Sequence, residues 1–153
     1  MTHSCLDSPI GALRLHSNGT SLTAIDFDAA PSPEDGSDRI LAAAELQLTE
    51  YFAGERREFD LPLSPTGTGF QRAVWDELVR IPYGRTVSYG QVAARLGLEP
   101  GASRAVGAAN GSNPIPIVVP CHRVIGAGGR LTGYGGGLDR KRVLLALESP
   151  GLF

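Results

Sequence analysis

The sequence predicts an α/β fold in two parts: a small N-terminal α/β domain with an antiparallel sheet over residues 1–63, and a mostly helical C-terminal domain over residues 64–153. Short apolar segments separated by turn signals fill the first 27 residues, which is typical of antiparallel strands. In the second part, apolar residues recur at helical spacing, with glycine and proline between the helices. Residues 61–69, Leu-Pro-Leu-Ser-Pro-Thr-Gly-Thr-Gly, have the composition of a linker.

The N-terminal part begins with strands over residues 5–27. A turn is predicted at Ser8-Pro9-Ile10-Gly11, and Asn18-Gly19 is a strong hairpin signal. Residues 29–37 are rich in proline, serine and acidic side chains and are predicted to form a loop. A helix over residues 38–53 follows, because its large apolar side chains fall on one face. The residues on that face are Leu41, Ala44, Leu48, Tyr51 and Phe52.

Three helices are predicted at the start of the C-terminal part. Thr68-Gly69-Phe70-Gln71 fits a capping box that begins the first helix, which ends before Pro82. Ser88-Tyr89-Gly90-Gln91 fits a second capping box and begins a short helix that ends near Leu96. A glycine-containing turn then precedes a helix over residues 102–110. Two short helices joined by such a turn form a helix-turn-helix pattern.

The rest of the C-terminal part is predicted to contain one strand and one helix. Residues 113–116 are irregular, and Ile117-Val118-Val119 is predicted to be a buried strand. Residues 126–137 contain seven glycines and form a loop. The last helix covers residues 138–149. The side chains predicted to face inward from it are Val143, Leu144 and Leu147.

Composition argues against a membrane protein and favours a polyanionic partner for one half. No run of about 18 apolar residues is present, and the first residues lack a leader pattern, so a cytoplasmic protein is expected. Residues 1–64 hold 4 Arg against 11 Asp or Glu, a net charge of −7, whereas residues 65–153 carry +5. This asymmetry predicts that only the second half contacts nucleic acid, although chance variation of surface charge produces the same pattern.

The cysteine and histidine content argues against a disulfide framework and a metal centre. Cys5 and Cys121 lie in different halves of the chain, and reduced thiols fit a cytosolic protein. Together with the scattered histidines they do not supply four ligands for a structural zinc ion without carboxylates. We expect no metal and no cofactor.

Pro120-Cys121-His122-Arg123-Val124 is the segment that indicates chemistry most directly. The thiolate is the nucleophilic form of cysteine, and a neighbouring base or cation lowers the thiol pKa from about 8.5. Glu148 is a carboxylate able to orient the imidazole of His122. A lone cysteine is more often a small buried hydrophobe, and a glutamate near a helix end is often a solvated charge, so these interpretations stay open.

The helix over residues 102–110 has almost no large side chains. Small residues permit close packing against a neighbour, which is the simpler interpretation. Such a helix also fits a narrow minor groove, where its one long cation, Arg104, would replace a base flipped out of the stack. Tyr134 lies in the glycine-rich loop, where an aromatic side chain often lines a pocket. By position alone, Tyr89 is an ordinary core residue and Asn113 an ordinary turn former.

Four motifs follow one another along the C-terminal half. They are Arg104-Ala105-Val106-Gly107, Asn113-Pro114-Ile115-Pro116, Pro120-Cys121-His122-Arg123-Val124 and Gly133-Tyr134-Gly135-Gly136-Gly137-Leu138. In order and spacing they resemble the O6-alkylguanine-DNA alkyltransferases. The resemblance covers residues 65–149, and the N-terminal half is similar in pattern only.

The resemblance implies single-turnover DNA repair, in which an alkyl group, mainly methyl, moves from O6 of a flipped guanine to Cys121 and inactivates the protein. It implies that His122 is a base acting through a bound water, that Glu148 orients it, and that Tyr89 donates a hydrogen bond or proton to guanine N3. Asn113 would hold the segment between the recognition helix and the acceptor.

The resemblance also implies the DNA and pocket contacts. The DNA-contacting residues would be Arg104, as the finger replacing the flipped base, with Ser103, Ala105 and Gly107. The pocket would be lined by Val124, Tyr134, Gly135, Gly136 and Pro116, and the carbonyls of Cys121 and Val124 would read the exocyclic amine. Members of the family often have serine where this chain has Gly135, so a contact there would come from the backbone N–H. Pro116 and Gly136 should leave room for O6-benzylguanine.

The expected partner is double-stranded DNA containing O6-alkylguanine, with no membrane contact and a monomeric protein. Three alternatives differ in their use of Cys121. A non-catalytic lesion-binding homologue would lack the acceptor, so the presence of this cysteine argues against it. A helix-turn-helix regulator would bind a specific sequence and have an unreactive thiol. A cysteine hydrolase would turn over and need an oxyanion hole, for which the sequence has no signature.

Overall fold

The structure, a computed structural model, describes residues 1–151 of the 153-residue chain. It divides into two compact units, residues 1–66 and residues 67–153. The last two residues of the predicted C-terminal domain, Leu152 and Phe153, lie outside the described residues. None of the helices in the described part of the chain has the length and apolar character needed to cross a membrane.

The first unit contains the predicted antiparallel sheet. Its strands are β1 (Thr2–Leu6), β2 (Leu13–Ser17) and β3 (Leu22–Asp26), in that order across the sheet. Leu15 in the central strand lies opposite Ser4 and Ile25. Because successive side chains of a strand point to opposite faces, Leu13 and Leu15 share the buried face, and both are fully buried.

One helix, α1 (Arg39–Phe52), completes the first unit, as predicted. It begins where the Asp38 side chain accepts a hydrogen bond from the Leu41 backbone N–H at 2.8 Å, which satisfies one of the free donors of the first turn. It ends before Gly54, whose φ of +78° is the left-handed conformation that glycine adopts without strain. The apolar face predicted for this helix is buried, with the exception of the half-buried Phe52.

The predicted linker, residues 61–69, is partly built into the sheet of the first unit. Leu63 forms a parallel bridge with Leu22. The backbone N–H of Leu22 donates to Pro62 O at 2.8 Å, and the N–H of Ser64 donates to Leu22 O at 3.0 Å. These bonds cover the outer edge of β3, which would otherwise present unpaired backbone groups.

The second unit is mostly helical. Its helices are α2 (Gly69–Val79), α3 (Tyr89–Arg95), α4 (Ser103–Gly111) and α5 (Leu138–Glu148). Two short strands, β4 (Val87–Ser88) and β5 (Val124–Ile125), pair in parallel. Single 3₁₀ turns lie at Pro100–Ala102, Cys121–Arg123 and Ala127–Gly129.

Both predicted capping boxes are present. The Thr68 hydroxyl accepts from the Gln71 N–H at 3.1 Å, and the Gln71 side chain accepts from the Thr68 N–H at 2.9 Å. Ser88 and Gln91 repeat the arrangement at the start of α3, at 3.1 and 2.8 Å. The two boxes fix the first turns of α2 and α3. The predicted helix-turn-helix is α3 and α4, joined through the 3₁₀ turn Pro100–Ala102.

The prediction of a strand at Ile117-Val118-Val119 is wrong. These residues are buried, but they form turns, and Ile117 has a φ of +75°. Pro114, Pro116 and Pro120 surround them, and proline cannot donate a backbone hydrogen bond to a sheet ladder. The strand lies further along, at β5, which has two residues and no periodicity to detect.

The inward face of α5 also differs from the prediction. Val143 is 42% exposed and Leu147 is half-buried, whereas Leu144 is buried as predicted. The buried positions of the helix are Lys141, Leu144, Leu145 and Glu148. They follow the i, i+3, i+4, i+7 spacing of one helix face, so the geometry is regular. The prediction failed because two of the four inward side chains are charged.

Candidate active site

Cys121 begins a 3₁₀ turn, Cys121–Arg123, directly after Pro120, and is 5% exposed. Its backbone N–H donates to Val119 O at 2.8 Å, and the Arg123 N–H donates to Pro120 O at 3.0 Å. The turn leads into β5, which pairs with β4. The nucleophile therefore lies on a short, hydrogen-bonded turn whose end is fixed by a strand.

Glu148 is the last residue of α5. Its carboxylate binds the side chains of His122 and Arg123, the two residues that follow the cysteine. The Nε2 atom of His122 lies 2.7 Å from Glu148 Oε2, and the imidazole is fully buried. Arg123 donates from Nε to Oε1 at 2.8 Å and from Nη2 to Oε2 at 3.0 Å, and its Nη1 donates to Ile81 O at 2.7 Å. Burial alone would raise the pKa of Glu148, but the bonds from His122 and Arg123 outweigh it and lower the pKa to about 2.

His122 is held as a neutral imidazole. Burial lowers its pKa below 6.5, and the hydrogen bond that the ring donates to the Glu148 carboxylate opposes the shift only in part. With Nε2–H donating to Glu148, the lone pair lies on Nδ1. Nδ1 is buried and has no hydrogen-bond partner among the described residues. The ring is thus oriented to accept a proton on the nitrogen that faces away from Glu148.

Burial raises the pKa of the Cys121 thiol to about 11. The Asn113 side chain, which hydrogen-bonds the sulfur, and the charge of Lys141 act in the opposite direction. A thiol with such a pKa is protonated near neutral pH, so nucleophilic attack requires a base that takes the proton as the sulfur reacts. His122 is the neighbouring base in the required protonation state.

Two asparagines connect α4 to the acceptor turn. Asn113 donates from Nδ2 to Val119 O at 2.8 Å and accepts the Ile115 N–H at 3.0 Å. Asn110, the buried residue near the end of α4, donates from Nδ2 to the carbonyl of Cys121 at 3.3 Å. Asn113 was expected from the sequence and Asn110 was not, because a polar residue at the end of a helix resembles an ordinary surface residue.

Lys141 is a second site residue that the sequence analysis missed. It is fully buried, and its Nζ donates to Val124 O at 2.6 Å and to Thr132 O at 2.7 Å. The Tyr89 hydroxyl also donates to Thr132 O, at 3.2 Å. Burial lowers the pKa of Lys141 to about 8. Together, Lys141 and Tyr89 hold the glycine-rich loop against β5 and α3. The available sequence signal was the position of Lys141 on the last helix, three residues before Leu144 and so on the same buried face.

The remaining predicted pocket residues differ in what surrounds them. Val124 and Pro116 are buried. Burial, with the charge of Cys121 as the next cause, raises the pKa of Tyr134 well above its usual range. Gly136 O accepts from Arg140 Nη1 at 3.1 Å. A Cβ on Gly135 would meet only the Gly111 carbonyl, at 3.8 Å, so this position has room for a side chain.

The predicted DNA-contacting residues lie on two faces of α4. Arg104 and Ala105 are exposed. Ser103 and Gly107 instead pack towards α3: a Cβ on Gly107 would lie 3.7 Å from the Tyr89 ring, and one on Gly90 would lie 3.7 Å from the Ser103 hydroxyl. The small residues of this helix therefore permit close helix packing on one face and leave one long cation on the other.

The chain is similar to known proteins over nearly its whole length. A family model described as 6-O-methylguanine DNA methyltransferase, ribonuclease-like domain, matches residues 1–65, and one described as 6-O-methylguanine DNA methyltransferase, DNA binding domain, matches residues 69–150. A methylated-DNA–protein-cysteine methyltransferase of Mycolicibacterium paratuberculosis is 57% identical over 148 residues, which cover 94% of this chain and 89% of that protein.

Similarity extends to a second relative and to a solved structure. A methylated-DNA–protein-cysteine methyltransferase of Methanosarcina acetivorans is 47% identical over 154 residues, covering 97% of this chain and 98% of that protein. The crystal structure of Mycobacterium tuberculosis OGT in complex with DNA has a TM-score of 0.89 and 51% identity, covering 99% of this chain and 96% of the other.

Proposed function

The chain belongs to the 6-O-methylguanine DNA methyltransferase family, and from this premise we propose that Cys121 accepts the alkyl group from O6 of guanine in double-stranded DNA. The activity itself is DNA repair by alkyl transfer to a cysteine of the protein. The observation that supports Cys121 is the buried set formed by His122, Glu148 and Arg123 directly beside it. Cys5, the other cysteine, is half-buried in β1 of the first unit.

In the proposed step, the sulfur of Cys121 attacks the alkyl carbon while the bond from that carbon to O6 breaks. The thiol proton passes to Nδ1 of His122 through a water, and Glu148 stabilises the imidazolium that forms. The electron pair of the broken bond stays on guanine, which takes a hydrogen bond or proton from Tyr89. The thioether bond formed on Cys121 is not cleaved again, so each protein molecule reacts once.

Positioning of these groups is proposed to depend on the residues that hold the acceptor turn. Asn113 fixes the Val119 carbonyl, and Lys141 fixes the carbonyl of Val124. The carbonyls of Cys121 and Val124 are proposed to accept from the exocyclic amine of guanine. A carbonyl oxygen has two lone pairs, of which Lys141 uses one at Val124. The Cys121 carbonyl already accepts from the Val124 N–H and from Asn110 Nδ2, so there the amine would share or replace one of these bonds. Val124, Tyr134, Gly135, Gly136 and Pro116 are proposed to line the pocket.

DNA contact is assigned to α4, with Arg104 filling the space of the flipped base. Its exposure and the small side chains around it support this role. Ser103, Ala105 and Gly107 are also proposed to contact this groove. Ala105 shares the exposed face with Arg104, whereas Ser103 and Gly107, which are half-buried towards α3, would contribute only their outward-facing atoms. We propose that the protein acts as a monomer. We place the protein in the cytoplasm, where a free thiol persists.

We propose residues 1–63 and 64–153 as the two domains. The division into compact units at residues 66 and 67 and the limits of the two family models support a boundary in this region. The N-terminal domain contributes none of the proposed site residues.

Mass spectrometry tests the acceptor assignment. The intact protein incubated with duplex DNA containing O6-methylguanine should gain the mass of one methyl group, on the peptide that contains Cys121. Cys121→Ala should bind the DNA without gaining mass, and Cys5→Ala should react as the wild type does. Label on Cys5, or repeated turnover of substrate, would show the assignment to be wrong.

A comparison of two substrates tests the proposed role of Arg104 in replacing the flipped base. Arg104→Ala should slow reaction with duplex DNA far more than reaction with free O6-benzylguanine, because only the duplex requires a base to be flipped. Arg39→Ala removes an exposed arginine from α1 and serves as the matched control. Equal slowing of Arg104→Ala on both substrates would contradict the assigned role.

A further inference from the structure

Two histidines of the first unit form a cluster that alkyl transfer does not use. His3 in β1 and His16 in β2 are directly opposite each other in the strand register. They lie on the face of the sheet away from Leu13 and Leu15, and their ring centroids are 5.9 Å apart. Each side chain is 27% exposed, so an ion in solution can reach both rings.

Each ring uses one nitrogen to contact a carboxylate. Nδ1 of His3 lies 2.9 Å from Oδ1 of Asp35, and Nε2 of His16 lies 2.7 Å from Oδ2 of Asp26. An imidazole that donates to a carboxylate through one nitrogen presents a lone pair on the other, which is the usual arrangement of metal-ligating histidines. Nε2 of His3 and Nδ1 of His16 are therefore the two ligand atoms.

The carboxylate beside His3 is fixed independently of the ring. The Ser32 backbone N–H donates to Oδ2 of Asp35 at 2.9 Å and, with His3, holds the pKa of Asp35 below its usual value. An ionised, oriented carboxylate fixes both the tautomer and the angle of the imidazole. The His3 ring is thus ordered before any ion arrives.

The spacing of the rings suits a borderline-soft divalent ion. Two imidazoles on one tetrahedral zinc ion have ring centres about 5 Å apart, because Zn–N bonds are about 2.0–2.1 Å. The observed distance of 5.9 Å between the two ring centroids is close to this value. Imidazole nitrogen is a preferred ligand of Zn²⁺, Cu²⁺ and Ni²⁺.

The number of protein ligands limits the strength of the site. Within residues 1–151, no group of three or more His, Cys, Asp or Glu side chains is placed to hold a metal ion. Water must therefore complete the coordination, and the ion exchanges more readily than one in a closed four-ligand site.

We propose that His3 and His16 form a two-imidazole site for Zn²⁺, with Asp35 and Asp26 orienting the rings. The ion would join β1, the edge strand of the sheet, to the central strand β2. Because it binds the folded sheet and not the unfolded chain, it stabilises the first unit by mass action.

Calorimetric titration of the whole protein with zinc chloride tests the site. The wild type should bind one ion per chain, and His3→Gln and His16→Gln should each weaken binding at least tenfold while keeping the circular dichroism spectrum of the metal-free wild type, which shows that the sheet of the first unit still folds. Thr20→Ala, in the adjacent hairpin turn, is the matched control and should bind as the wild type does. Binding that needs His3 but not His16 would place the ion at the amino end of the chain and overturn the proposal.

Cobalt provides a second measurement that identifies the ligand atoms. Co²⁺ on imidazole and water should give weak visible bands and no intense thiolate-to-cobalt charge-transfer band. The spectrum should be unchanged in Cys121→Ala and lost in His16→Gln. A charge-transfer band, or loss of binding in Cys121→Ala, would place the metal on a thiol and overturn the two-imidazole site.

Discussion

The two units bury different kinds of side chain. In the first unit the buried interior is almost entirely apolar, and ion pairs such as Arg56–Glu50 are partly exposed, at 29% and 34%. In the second unit Arg123, Lys141 and Glu148 are buried together with His122. Among the described residues, every buried charged side chain belongs to the second unit.

The difference in buried charge between the two units distinguishes the side chains needed for folding from those needed for the reaction. The first unit shows that the chain can close a core with apolar side chains and a few uncharged polar ones such as Gln47. Burying a charge costs free energy that paired partners offset only in part, so stability does not explain the interior of the second unit. Each of these buried charges instead belongs to, or contacts, the acceptor turn, the Glu148 carboxylate or the glycine-rich loop. The comparison predicts that matched substitutions in the two units will differ in size or in sign.

The largest difference is expected between two glutamates. Glu148→Ala leaves Arg123 buried without its carboxylate and should lower the free energy of unfolding by about 3–5 kcal/mol. Glu50→Ala removes a partly exposed partner of Arg56 and should cost about 0–1 kcal/mol. Urea denaturation followed by the fluorescence of Trp75, the only tryptophan, and by circular dichroism measures both. Similar losses in the two variants would remove the distinction between the units.

A smaller effect is expected in the alkaline dependence of stability. The Cys121 pKa rises from 9.0 to about 11 on folding, so the unfolded thiol ionises first and stability falls with pH between these values. The Lys141 pKa falls from 10.5 to about 8, so the folded ammonium loses its proton first and stability rises with pH over that window. The two slopes oppose each other in the wild type.

Variants should separate the two slopes. Between pH 9 and 10.5, Cys121→Ala should gain stability as pH rises and Lys141→Met should lose it, with the wild type between them. Urea midpoints at closely spaced pH values measure the effect. Identical pH profiles for all three proteins would show that neither group titrates as its environment implies.

The third contrast, between two buried amides, is expected to differ in sign. Asn110 Oδ1 is buried with no hydrogen-bond partner among the described residues, a cost of about 1–3 kcal/mol. Asn110→Leu should therefore leave stability unchanged or raise it, while slowing alkyl transfer to both DNA and O6-benzylguanine because the Cys121 carbonyl is released.

Gln47 is the matched amide in the first unit, where both ends of its side chain bond the backbone of Asp60, at 3.0 and 2.8 Å. Gln47→Leu leaves those groups unpaired and should lower stability by about 1–3 kcal/mol without changing the alkyl-transfer rate. The result that contradicts this contrast is a destabilised Asn110→Leu that reacts at the wild-type rate.

Local signals predicted the frame of the fold well. The Asn18-Gly19 hairpin, the helix beginning after Asp38 and both capping boxes are confirmed, because each depends on residues close in sequence. The acceptor motif was visible for the same reason: cysteine and histidine are adjacent in the chain. The pairing of His122 with Glu148 was proposed from chemistry, and the structure brings the two side chains to 2.7 Å.

The failures share one physical cause. Burial is a property of tertiary structure, and hydrophobic periodicity assigns a charged residue to the surface. Lys141, Arg123 and Asn110 were therefore missed, and the inward face of α5 was misassigned. The strand predicted at Ile117-Val118-Val119 failed for a related reason: apolar composition indicated burial, but the prolines around the segment remove the backbone donors that a ladder needs.

Ile117 has a consequence for protein engineering. A β-branched residue with a φ of +75° costs about 1–3 kcal/mol in the isolated backbone, and here it lies four residues before the acceptor. The segment from Asn113 to Cys121 keeps this shape only because the surrounding fold holds it. The acceptor motif is therefore not expected to keep its conformation outside this fold. Transplanted into another scaffold without Asn113, Asn110 and the wall that buries Ile117, the same residues would relax to an ordinary loop with an ordinary thiol.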